Sequence, residues 1–224
     1  DTFQEAVALW EAEFWNRRLS RVYTVGPTEP VGLAETAVTV NAANGRLTAT
    51  GADPSVQQEL AGTRDFVTDS GTDLVGRPLA THGPFALHAL TPPPRIANLV
   101  SGVYADGWMG ADASYRRYVA PSRGDLTVTL SRKSWHGPDV PGHVRVQLVA
   151  LRGPRSGQAV GTRTWTLHSG RGHAFTLSTP SAPFTVNVHV EPTFSPSGFG
   201  RPDTRQLGAQ VSFAYRARRP ATRR

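Results

Sequence analysis

From Arg95 to Tyr215 the apolar residues recur with a period of two. Leu126, Val128 and Leu130 form one such run, Val144, Val146 and Leu148 a second, and Val186, Val188 and Val190 a third. Successive side chains of a strand point to opposite faces, so each run describes a half-buried antiparallel strand with one apolar side. Eight strands are expected, over 96–104, 113–119, 125–131, 143–151, 158–167, 172–177, 184–190 and 206–215. Short strands separated by Gly- and Pro-rich turns bury their apolar faces by stacking two sheets, so the expected fold is an antiparallel β-sandwich, jelly-roll-like in its winding.

The first 90 residues have a different pattern. Thr2 and Glu5 make a capping box, and Phe3, Val7, Trp10 and Phe14 recur at helical spacing, which predicts an amphipathic helix over 2–19. Its aromatic face suits docking against a sheet. Short strands are expected at 21–25, 36–40 and 46–50, the last two joined through Asn44-Gly45, a strong hairpin signal. One or two helical turns follow at 54–60, then apolar Phe66-Val67, a close hairpin over 74–79, and a strand at 85–90. In that strand Phe85, Leu87 and Ala89 are expected on one face and His88 on the other. The whole chain thus reads as mainly β: a small α+β part over 1–90, a stiff polyproline spacer over 91–94, a sandwich over 95–215, and a disordered basic tail over 216–224.

Charge follows the same division. Residues 1–90 carry six Arg against eleven acids, residues 91–215 thirteen basic groups against six acids, and the tail five Arg and no acid. A basic half attracts anionic partners. The arginines are scattered through strands and are not interleaved with stacking aromatics, so nucleic acid is not an expected partner. The chain has no Cys, which removes disulfides, thiolate metal sites and Cys nucleophiles. It has no run of 18 apolar residues and so no spanning helix. It shows no signal peptide, as expected of a mature product or a piece excised from something longer.

No nucleotide-binding, zinc-protease or nucleophile-elbow motif is present, and the seven His are dispersed singly. Three features could carry chemistry. Asp106-Gly107-Trp108, with Asp112 close behind, is a turn that fixes a carboxylate beside an indole. It can be a turn only, a structural Ca²⁺ site with Asp106 and Asp112 as oxygen ligands, or a sugar contact through Trp108. Trp135 and His136 sit in a loop between strands that either meets a sugar or covers the core. Asp203 and Arg205 are placed to form a bidentate ion pair that pins the loop before the last strand.

Taken in order, several segments resemble a known family. Glu13-Phe14-Trp15-Asn16-Arg17, Val75-Gly76-Arg77-Pro78-Leu79-Ala80, Gly102 to Trp108, Tyr115-Arg116-Arg117-Tyr118, Phe194-Ser195-Pro196 and Asp203 to Gly208 are similar to motifs in the C-terminal extracytoplasmic regions of bacterial GT-C-type membrane glycosyltransferases. Those enzymes use polyprenyl-phosphate-linked sugars. The resemblance spans about residues 13–215 and implies a soluble module, carbohydrate-binding-module-like, tethered outside the plasma membrane behind a transmembrane catalytic bundle. It carries over no catalytic residue, because the family's catalytic acids lie in the membrane part. The function it implies is non-catalytic: holding a cell-envelope polysaccharide or glycolipid near the active site, through Trp108, Tyr115, Trp135 and His136. The alternatives are an interaction module that binds no sugar and a self-standing sandwich hydrolase. The Gly102–Trp108 turn is expected to meet Asp203–Gly208 at the opening corner of the sandwich.

Overall fold

The computed structural model describes residues 22–25, 35–50, 53–68, 71–82, 85–104, 106–120, 122–132 and 139–218. The helix expected over 2–19 lies outside them. The N-terminal part begins with strands β1 (Val22–Val25), β2 (Glu35–Val40) and β3 (Leu47–Ala49), with β1 parallel and β3 antiparallel to β2. Two Asx turns build the β2–β3 hairpin. The Asn41 side chain accepts from the Ala43 amide at 2.9 Å and that of Asn44 from Arg46 at 3.0 Å. Gly45 then takes φ +71° against Ile96. Helix α1 (Pro54–Gly62) starts on the Asp53 cap, which accepts from the Ser55 amide at 2.8 Å, and buries Leu60.

Strands β4 (Asp65–Thr68), β6 (Gly76–His82) and β7 (Phe85–Leu90) form a small antiparallel sheet in the order β4-β7-β6. Between them, β5 (Thr72–Leu74) leaves for the large sheet and pairs with β8 (Ile96–Val103). The hairpin expected over 74–79 is therefore absent. Leu74 is buried in a core shared with Ile96, and Gly76, which packs against the Ala89 carbonyl and Leu90, redirects the chain. The faces of β7 alternate as expected, and the face bearing His88 is the buried one: His88 and Leu90 are buried, and the His88 ring meets Thr68 Oγ1 at 3.2 Å. Hydrogen bonding to a neighbouring strand lets a His occupy a core position that its polarity argues against.

Residues 91–94 are packed, not a free spacer. The Pro92–Pro93 bond is cis, Pro94 is buried, and its carbonyl accepts from the Leu47 amide at 3.3 Å. Val38, Leu47, Leu60, Leu74, Leu90, Ile96 and Tyr118 form one core across this segment.

The expected sandwich is present. Its remaining strands are β9 (Trp108–Arg117), β10 (Gly124–Ser131), β11 (Gly142–Ala150), β12 (Ala159–Leu167), β13 (Gly172–Thr179), β14 (Phe184–Glu191) and β15 (Ala209–Ala217). One layer runs β5-β8-β9-β14-β11-β12 and the other β15-β10-β13. Among the described residues the layers pair at a corner, where Trp108 and Met109 meet Gln210 and Ala209. Successive strands from β9 to β11 and from β12 to β15 cross between layers, as in a jelly roll. Leu126, Val128 and Leu130 face Val144, Val146, Val186 and Val188 in the main core, and all are nearly inaccessible. Each such burial contributes about 1.5–3 kcal/mol before the cost of ordering. The last strand runs past residue 215, so Arg216 and Ala217 belong to β15, and Arg218 holds Asp125 at 2.6 Å. Residues beyond 218 lie outside the description.

Candidate functional site

The turn after β8 and the loop before β15 meet, as expected. The Asp106 side chain accepts from the Trp108 amide at 3.3 Å, closing the turn. The Arg205 guanidinium lies across it. Nη2 donates to Asp106 Oδ2 at 2.7 Å and to Asp203 Oδ2 at 2.7 Å, and Nε donates to Asp203 Oδ1 at 3.0 Å. The Arg205 backbone amide also donates to Asp203 Oδ1 at 3.0 Å. Its guanidinium carbon stands 4.7 Å from the centre of the Tyr104 ring, a cation–π contact. Hydrogen bonds from Arg205 hold Asp106 and Asp203 below the usual carboxylate range and raise the guanidinium pKa. Arg205 therefore clasps two segments about a hundred residues apart.

Two aromatics expected to contact sugar belong to the fold instead. Trp108 is 3% exposed and packs edge-on against Phe194, with ring centres 5.7 Å apart. Tyr115 is 2% exposed, stacks on Phe213 at 5.5 Å, and burial pushes its hydroxyl pKa up. A ring with no open face cannot serve as a stacking platform. Trp135 and His136 lie outside the described residues. The flanks of their loop are anchored: buried Arg132 donates to the Pro192 carbonyl at 2.8 Å and lies over Phe194, while Asp139 meets His168 Nδ1 at 2.6 Å and the Ser169 amide at 2.8 Å.

Asp106 and Asp112 do not assemble as one Ca²⁺ site. Arg205 occupies Asp106, whereas Asp112 Oδ1 meets His189 Nδ1 at 2.8 Å. Among the described residues no cluster of three or more His, Asp or Glu could hold a metal ion.

A concave surface lies beside the turn, and Gly102 and Asp112 are the motif residues that line it. The outer face of β8, β9, β14 and β11 forms a trough of about 470 Å³. Strand register places its side chains in two rows. One row runs Ser101, Ser114, Asn187 and Gln147; the other runs Asp112, His189 and Arg145. Four strands at about 4.8 Å spacing make it roughly 14 Å across. Gly102 lies at its edge with φ +76° and produces the bulge at which β8 and β9 lose register. Among the described residues the side chains of Ser101, Ser114, Arg145 and Gln147 make no hydrogen bond or ion pair. The signal for this surface lay in the polar half of the same alternation that marks the core. Polar residues recur on interior strands whose opposite face is apolar.

His189 titrates in this trough. Its Nδ1 faces Asp112 at 2.8 Å, its Nε2 faces Glu191 at 3.4 Å, and its register partner on β11 is Arg145, next to His143 opposite Glu191. The hydrogen bond to Asp112 raises its pKa above the usual 6.5. A raised folded pKa means that the protonated pair stabilises the fold fully below about pH 6.5. That contribution is lost as the pH rises through the folded value. In an NMR pH titration His189 should change its ring shifts above pH 6.5, and Asp112→Asn should bring its midpoint down.

No family model matches the chain, and no curated protein does. Among solved structures, the K1 cleaved adhesin domain of Lys-gingipain (Kgp) from Porphyromonas gingivalis W83 is similar over 69% of this chain and 90% of that chain, at 12% identity and a TM-score of 0.30. Similarity at that level carries no functional weight.

Proposed function

We propose that this chain is a non-catalytic interaction and scaffolding module of a larger cell-envelope protein, working outside the plasma membrane by docking to its neighbours. The observation that carries this reading is the burial of Trp108 and Tyr115. The aromatic residues best suited to a sugar platform are committed to packing, and the motifs around them serve as joints of the sandwich. Among the described residues no helix is long and apolar enough to cross a membrane. The parent protein in this proposal is a GT-C-type glycosyltransferase. It rests on the order and spacing of the resembling motifs over residues 13–215. Such a module would raise the effective concentration of whatever it docks near the membrane active site.

Two results test this. The coding sequence upstream of Asp1 should encode a run of transmembrane helices; a soluble catalytic domain in that place would contradict the parent. In NMR titrations with arabinan, galactan and mannan oligosaccharides, the Trp108 indole and the Tyr115 ring protons, which face the core, should not shift at millimolar sugar. Saturable shifts there in the folded chain would overturn the assignment of these rings to packing.

A further inference from the structure

We infer that the trough on the outer face of β8, β9, β14 and β11 binds an oxyanion borne by a polyhydroxylated ligand, with Arg145 as the charge partner. This goes beyond the docking role, which requires no ligand site. Arg145 is exposed and makes no ion pair among the described residues. Its guanidinium offers a planar fork of donors that matches carboxylate or phosphate oxygens. Gln147 lies two residues along the same face of β11, and Ser114 and Ser101 follow across the sheet. Their amide and hydroxyl donors are also free.

Ser101, Ser114 and Gln147 also keep their acceptor oxygens, so this row can both donate to and accept from ligand hydroxyls. Asp112 gives an oxygen to His189 at 2.8 Å, and Asn187 Oδ1 receives the Thr185 hydroxyl at 3.4 Å, which leaves the Asn187 amide N–H groups available. The row therefore offers both donors and acceptors, which suits the hydroxyls of a polyhydroxylated ligand. Asp112 and Glu191 both face His189, whereas Arg145 makes no ion pair among the described residues and is the charge left to meet an oxyanion. The trough is longer than a single phosphate or carboxylate. The Ser101–Ser114–Asn187–Gln147 row would hydrogen-bond the hydroxyls of the ligand body while Arg145 holds its charge.

The test is an NMR-monitored titration of the whole chain at low salt with glucose 1-phosphate, glucuronic acid, glucose and inorganic phosphate. Vesicles of phosphatidylglycerol, compared with phosphatidylcholine, form a separate arm. Both charged sugars should shift the amides of Ser114, Arg145 and Asn187, and should bind about tenfold or more tightly than glucose, the scale of a charge-assisted contact. Arg145→Gln should remove most of that preference, and Asn187→Ala should weaken both charged sugars. Arg155→Gln, the same charge change in the exposed β11–β12 turn, should change neither. Circular dichroism of each variant establishes that it is folded. Arg145-dependent vesicle binding that competes with the sugar phosphate would assign the oxyanion to a lipid headgroup, and its absence would assign it to a soluble glycan. The inference is overturned if glucose binds as well as its charged forms, if the shifts map elsewhere, if Arg145→Gln is silent, or if inorganic phosphate matches the sugar phosphate and so acts as an adventitious ion only.

Discussion

Trp108→Ala is expected to lower the free energy of unfolding by about 3–5 kcal/mol, the range for emptying a buried aromatic site. The indole is 3% exposed and stands at the start of β9. Its backbone is one of only two positions at which β9 pairs with β15, so the layers of the sandwich meet directly beneath it. Phe194 packs on its edge and in turn supports the guanidinium of buried Arg132 at 4.7 Å. Truncation would leave a cavity beside Phe194 at the joint of the two layers. An exposed sugar-stacking indole behaves differently: its removal changes stability by about 0.5 kcal/mol or less. Urea denaturation of the two proteins separates these cases.

Gly102→Ala should cost about 2 kcal/mol or more. The position has φ +76°, a conformation that costs an L-residue roughly 1–2 kcal/mol. A β-carbon there would also run into the Asp112 carbonyl, and the nearest side to yield is the backbone of β9. The β8–β9 bulge must then shift, which moves Ser101 relative to Ser114 at the floor of the trough. Gly62→Ala is the comparison: a β-carbon at the end of α1 meets nothing within 4 Å, so that change should be nearly neutral. Thermal melts of the pair measure the difference.

The strands and the core were legible because alternation reports burial directly: Val144, Val146 and Leu148 could face only one way, and they do so. The same rule, applied to β9, places Tyr115 beside Ala113 on the inner face. Reading Tyr115 as a ligand contact set its chemistry ahead of its position in the strand. Trp108 misled for a related reason. A turn dipeptide beside it suggested exposure, but the turn ends at residue 107 and the strand begins at once. The Asp203–Arg205 pair was legible from spacing alone, and its link to Asp106 from the expected meeting of the two ends. The trough was not. It depends on which strands become neighbours: Asn187 and Ser114 are 73 positions apart and adjacent only in register. The break at Leu74–Gly76 was equally hidden, since nothing local distinguishes a hairpin from two strands sent to different sheets.

Gly102–Trp108 and Asp203–Gly208 form one clasp, closed by Arg205. Because Arg205 holds Asp106 and Asp203 below their usual range, the clasp should be intact above about pH 4 and should weaken as the pH falls further. The direct measurement is a double-mutant cycle on unfolding free energy with Asp106→Ala, Arg205→Ala and the combined variant at pH 7. The predicted result is a coupling of about 1 kcal/mol, the upper end for a partly exposed bidentate pair. Single effects that add to within about 0.3 kcal/mol would contradict the clasp.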